Sequence, residues 1–241
     1  MASWEDQGDE ARAIPTKGRK KLTAKQAVLV DALGTLVEME PPWIGLRAAV
    51  PDSIDDERLV QAVKAEMAYY RDHASEGHDD ASVADLRDRC ARVLSEGLGH
   101  EVDAGTLVSS LSFRPYPDAA PALEALRARG LRIVCLSNWD VSLTEVLEGC
   151  GLDEHLDGAV SSAEAGASKP DPAPFRIALE VAECEPSEAL HVGDTADEDL
   201  AGAAAADVSA LLLDRTGQAS APEGAVVISS LVEVEDHLNL P

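Results

Sequence analysis

Short apolar runs alternating with amphipathic stretches constrain this chain more than any other feature. The runs fall at 27–30, 131–136, 158–161, 189–192 and 210–213, and the amphipathic stretches at 118–129, 141–150, 172–183 and 197–206. Runs this brief, flanked by turn-forming residues, read as strands buried on both faces. Strand alternating with helix predicts a parallel sheet with right-handed crossovers, an α/β fold with a Rossmann-like core. Such sheets bind ligands in a crevice at the carboxyl ends of their strands. Asp31, Ser137 and Asp194 fall at or near those ends.

Residues 38–115 break the rhythm, and their patterns are helical. Leu59, Val63, Met67 and Tyr70 follow i, i+4, i+8, i+11, one stripe on a helix. Ser53 with Asp56 reads as a capping box opening that helix. A second helix is expected over 82–94, with Val83, Leu86, Cys90, Val93 and Leu94 on its apolar side. Tyr69 and Tyr70 are expected in the core of this region, with a position facing a substrate as the alternative reading. The chain thus divides into a charged tail (1–24), an α/β core (25–37 and 116–241) and a helical insert (38–115) lying over the crevice. The only low-complexity segment is the alanine run at 201–206.

Bulk properties exclude several classes. Apolar residues make up 45% of the 241, which excludes a disordered chain, and no apolar run approaches the roughly 20 residues of a membrane span. The first residues lack a charged-then-apolar export signal, so a cytoplasmic location is expected. The four cysteines form no CxxC pair, which argues against a zinc knuckle or a disulfide framework, and Cys135 reads as a core residue. A net charge of −25 repels nucleic acid and anionic membranes. Arg12, Lys17, Arg19, Lys20, Lys21 and Lys25 concentrate positive charge in the first 25 residues, as a solubilising tail would. The acidity fits either adaptation to a salt-rich cytoplasm or a general compositional bias.

Four segments carry chemistry. A carboxylate just past a buried strand, as Asp31 is, must be paired or metal-bound. Gly34 and Thr35 follow it in a turn whose amides can face an anion. Ser137 and Asn138 offer a hydroxyl and an amide suited to an oxyanion. Lys169, the only lysine after Lys64, precedes a Pro-Asp-Pro that opens a helix, and can balance carboxylates or hold an anionic group. Asp194 and Asp199 flank a turn leading into a helix, where paired carboxylates suit Mg²⁺ or merely cap the helix.

These four segments, in this order, resemble the motifs of the haloacid dehalogenase superfamily: Asp-x-x-Gly-Thr, a Ser or Thr, a Lys, and Gly-Asp followed by a later Asp. The resemblance covers about 25–235, and the helical insert is similar to the cap that the family carries after its first motif. It implies that Asp31 attacks and forms an aspartyl intermediate. It also implies Mg²⁺ held by Asp31, the Leu33 carbonyl and Asp194, with Asp199 supporting the metal. Gly34, Thr35, Ser137, Asn138 and Lys169 would then bind the transferring group, with Ser137 and Lys169 counted as catalytic. The expected activity is Mg²⁺-dependent phosphoryl hydrolysis of a small phosphorylated metabolite.

One departure bears on that expectation. Phosphatases of the family carry a second Asp two residues after the nucleophile as general acid, and this chain has Leu33. Loss of a general acid costs about 10²–10⁴ in rate. Asp140 is an alternative proton donor, or simply caps the helix that follows. A 2-haloacid dehalogenase, whose halide leaves without a proton, tolerates Leu33. It works without metal, however, and usually has Tyr where Phe175 stands; Arg47 in the insert could bind its carboxylate. A phosphonate-cleaving variant would need Lys64 as Schiff base. A binding protein that lost catalysis is the third reading, opposed by the retained Asp31, Lys169 and Asp194.

Overall fold

The computed structural model describes residues 25–218 and 220–239; the tail at 1–24 lies outside them. The chain opens with β1 (Ala27–Val30), β2 (Val37–Met39) and four helices, α1 (Pro42–Leu46), α2 (Asp56–His73), α3 (Asp80–Leu98) and α4 (Ala104–Ser109). Next come β3 (Phe113–Pro115), α5 (Ala119–Ala128), β4 (Arg132–Ser137), α6 (Leu143–Gly149), β5 (Gly158–Ser161), α7 (Ser162–Ala165) and α8 (Pro172–Ala182). The chain closes with β6 (Ala189–Gly193), a π-helical turn (Ala196–Leu200), α9 (Ala201–Ala205), β7 (Ser209–Leu213) and β8 (Val226–Ile228).

Six parallel strands form one sheet in the order β5-β4-β1-β6-β7-β8. All four residues of β1 are buried, as a strand covered on both faces requires. Its side chains divide by alternation. Val28 and Val30 join a core with α5 and α6, while Ala27 and Leu29 join another with α8 and α9. The second core is lined with small residues such as Ala178, Ala182 and Ala203, so its helices lie close. Cys135 is fully buried in the first core.

The five expected strands are all present. The sheet has one more, β8, whose three residues are too few to show a periodic signal. The short antiparallel pair β2 and β3 was also unexpected, and it joins the two ends of the helical insert. The insert has its own core, in which Leu59 and Val63 of α2 meet Leu86, Cys90 and Leu94 of α3.

Several local expectations need correction. The box at Ser53 is not formed; Asp55 caps α2 instead, accepting a hydrogen bond from the Arg58 amide at 2.8 Å. The second helix starts at Asp80 rather than 82 and runs on to Leu98, because Asp79 and Ser82 form its capping box and left-handed Gly99 ends it. Arg47 is spent on the loop before α2, donating to the carbonyls of Ile54 (2.8 Å) and Pro51 (2.9 Å). Lys64 is exposed on α2, outside the cavity between insert and sheet, which removes the Schiff-base reading. Lys25 belongs to the core rather than to a tail: it is buried and donates to the Ser187 carbonyl and Ser209 Oγ.

Candidate active site

The strand order reverses at β1, which has β4 on one side and β6 on the other. A crevice must open at the carboxyl ends of these three strands, where Ser137 ends β4 and Asp31 and Asp194 directly follow β1 and β6. The turn after β1 is closed by hydrogen bonds from the amides of Leu36 and Val37 to the Ala32 carbonyl. Gly34 takes φ +84°, and an added Cβ would overlap the Asp194 carboxylate. Glycine is therefore required both by backbone and by space. Thr35 Oγ1 is buried without a hydrogen-bond partner among the described residues.

Lys169 organises the charges. Its ammonium lies 2.6 Å from Asp31 Oδ1 and 2.6 Å from Asp199 Oδ1, and also donates to the Leu136 carbonyl at 3.2 Å. Ser137 Oγ donates to the same Asp31 oxygen at 3.0 Å. Oδ2 of Asp31 takes no hydrogen bond from the described residues, so it is the oxygen left for a ligand. Asn138 clamps the lysine loop, donating to the Lys169 carbonyl (3.0 Å) and accepting from its amide (2.7 Å). Its Nδ2 also donates to Glu198 at 2.9 Å.

Asp199 is fully engaged. Besides Lys169 it meets His191 Nε2 at 2.9 Å and accepts from the Thr195 amide at 3.0 Å. Burial alone would push its carboxyl up; Lys169 and His191 outweigh that and hold it well below the usual range. Burial likewise opposes charge on Lys169, but Asp31 and Asp199 keep the ammonium above its ordinary range. Asp31 is raised, by burial first, with Lys169 pulling it back. Asp194 is pushed up to about 6 by burial and by the charges of Asp31 and Asp199. One lysine thus faces three acids whose oxygens lie within 4.8 Å of one another. That excess of oxygen ligands fits Mg²⁺ or another hard divalent cation.

Sequence reasoning missed two contributors, His191 and Arg215. His191 read as part of an apolar strand, yet it packs edge-on against Phe175 and orients Asp199. Arg215, at the end of β7, donates to the carbonyls of Gly34 (3.3 Å) and Thr35 (2.8 Å), pairs with Asp118 and stacks over Tyr116 at 3.8 Å. Tyr70 takes the alternative position weighed for it: it lines the cavity and its hydroxyl meets Asp140 Oδ2 at 3.2 Å. Asp140 does tie the start of the next helix, accepting from the Ser142 amide at 2.7 Å.

A doubly wound sheet with a buried aspartate, serine, lysine and acidic pair at its switch point defines a class of aspartate-centred hydrolases. The family model for haloacid dehalogenase-like hydrolases matches residues 25–207, and the chain belongs to that family. It is 33% identical over 202 residues to phosphoglycolate phosphatase of Rhodospirillum rubrum, covering 78% of this chain and 79% of that protein. It is 41% identical over 95 residues to haloacid dehalogenase-like hydrolase domain-containing protein 3 of Bos taurus, covering 39% of this chain and 38% of that protein. That match spans less than half the length of the bovine relative. L-2-haloacid dehalogenase from Xanthobacter autotrophicus superposes with a TM-score of 0.69 at 24% identity, covering 90% of this chain and 99% of that one. At that identity the likeness speaks to the fold. Among the described residues, no helix is long and apolar enough to cross a membrane.

Proposed function

We propose that the protein is a Mg²⁺-dependent phosphatase of a small phosphorylated metabolite, with Asp31 as nucleophile. The observation that carries this reading is the convergence of Ser137 and Lys169 on one oxygen of Asp31, with Asp194 beside it. Those two donors orient the carboxylate and leave Oδ2 to attack. Lys169 and Ser137, with Asn138 and the amides of the Gly34–Thr35 turn, hold the transferring group. Asp31, Asp194 and the Leu33 carbonyl would hold the cation, and Asp199 supports the site by fixing Lys169. The cation, when bound, neutralises charge on the phosphoryl oxygens. Residues 38–115 act as a cap, closing the crevice and screening the reaction from water. The likeness to phosphoglycolate phosphatase supports the substrate class.

The surface charge of −25 disfavours nucleic acid as partner. All four cysteines are free, in keeping with a reducing cytoplasm.

A 2-haloacid dehalogenase is favoured by one feature, Leu33, since halide needs no proton. Against it, Arg47 is committed within its own loop and the acidic pair would repel a haloacid carboxylate. Assay with and without Mg²⁺ decides between them. Phosphate release lost on adding chelator is expected, and halide release indifferent to chelator would overturn the phosphatase reading. Cation binding without turnover of any substrate would turn the assignment to a binding protein.

A further inference from the structure

The turn after Asp31 leads directly into β2, through which the chain passes to the helical insert. The chain returns through β3, and the residues that follow, Tyr116, Pro117 and Asp118, come back to that turn. The Tyr116 amide donates to the Leu36 carbonyl at 3.0 Å. Its ring lies under the Arg215 guanidinium, 3.8 Å from the central carbon. Asp118 meets the same group edge-on: Oδ2 accepts from Nη1 at 3.0 Å, and Oδ1 lies 3.0 Å from Nη2.

Both donor edges of the guanidinium are in use. Nε and Nη2 face the carbonyls of Gly34 (3.3 Å) and Thr35 (2.8 Å), while Nη1 and Nη2 face Asp118. The group is planar and its donors are fixed relative to one another, so a carboxylate at one edge sets where the other edge points. Asp118 is itself held by the core. Its Oδ2 also accepts from Ser230 Oγ at 2.6 Å and from the amide of Leu231, a buried core residue, at 2.9 Å. Burial opposes charge on Asp118, but its bonds to Arg215, Ser230 and Leu231 outweigh that and hold the carboxyl below its usual range. A charged acid therefore stands opposite Arg215.

An ion pair that only joined elements would act on stability alone. This one ends on the two carbonyls that directly follow that of Leu33, which the phosphatase reading above makes a ligand of the cation. Resting on that reading, we propose that Asp118 is a positioning residue for the reaction. Through Arg215 it anchors the turn that carries the Leu33 carbonyl and joins Asp31 to the insert. The anchor lies on the core side of β2 and β3, so the insert can move about that strand pair while the turn stays in place.

The test uses the full chain with Mg²⁺ and follows phosphate release from p-nitrophenyl phosphate, acetyl phosphate and phosphoglycolate. Asp118→Asn keeps the shape and an oxygen for Ser230 and Leu231, but removes the charge opposite Arg215. On the best substrate its kcat is expected to fall about tenfold, with KM within about twofold of wild type. Added to Arg215→Ala, the same change should lower kcat no further, because the residue it acts through is already gone. Should Asp118→Asn fail to fold, Arg215→Lys keeps a positive charge near Asp118 and gives up the paired bonds to Gly34 and Thr35, and a similar fall in kcat is expected. A wild-type kcat in Asp118→Asn or Arg215→Lys, even with a lower melting temperature, would make the pair structural only and overturn the proposal while leaving the phosphatase reading intact. Losses that multiply in the double variant would overturn it too. Phosphate release from no member of the panel by the wild type would remove the phosphatase reading itself and this proposal with it.

Discussion

Asp31 is bonded through one oxygen by a lysine and a serine and left open at the other, so its geometry serves direction as much as charge. Asp31→Asn keeps the shape, and Lys169 retains its pairing with Asp199. The variant should fold with an unchanged near-UV spectrum while kcat falls by at least about 10³-fold; turnover near wild type would remove the nucleophile assignment. Asp194 makes a different prediction. Its carboxyl, raised to about 6, takes up a proton as pH drops through that value. A cation must then displace the proton, so Mg²⁺ affinity should weaken by up to about tenfold per pH unit below 6. Calorimetric titration at pH 5 and pH 7.5 reads this directly; equal affinities would mean that Asp194 is not a ligand. Both residues were legible in the sequence because each ends an apolar run. His191 was not, since a histidine inside a strand is indistinguishable from a core residue until Asp199 is seen eight positions on.

At the scale of elements, the strands were the easiest to read. Four to six apolar residues between turns leave no other buried structure, whereas the three residues of β2, β3 and β8 carry no period at all. Helix starts were harder. Ser53, Asp55 and Asp56 are all capping types within four positions, and only the backbone at Asp55, extended where the chain enters the helix, selects one. Arg215 illustrates contact that sequence cannot signal: it closes on Gly34 and Thr35 across 180 residues. By holding two carbonyls of the turn after Asp31, it fixes where the turn's amides stand. Arg215→Ala should lower kcat by about tenfold or more with little change in KM, since a misplaced turn weakens positioning more than binding. Steady-state kinetics on the phosphate substrate test this, and a change confined to KM would assign Arg215 to binding instead.

At the scale of the whole molecule, 45 acidic residues against 20 basic ones give a self-repelling surface. Screening shrinks from about 10 Å at 0.1 M salt to about 3 Å at 1 M, so added KCl should relieve the repulsion. The melting temperature is expected to rise between 0.1 M and 2 M KCl; a flat response would make the acidity a bias of composition without consequence for stability.

The chain leaves the sheet through β2 and returns through β3, and these two strands are hydrogen-bonded side by side. Entry and exit thus share one doorway, and the helices beyond it pack on a core of their own. On the proposed function, the groups that would break the bond stand on one side of that doorway, and most of the lining of the cavity beside them on the other. A lineage could exchange the outer part wholesale, trading one diet for another, while the inherited chemistry went on undisturbed.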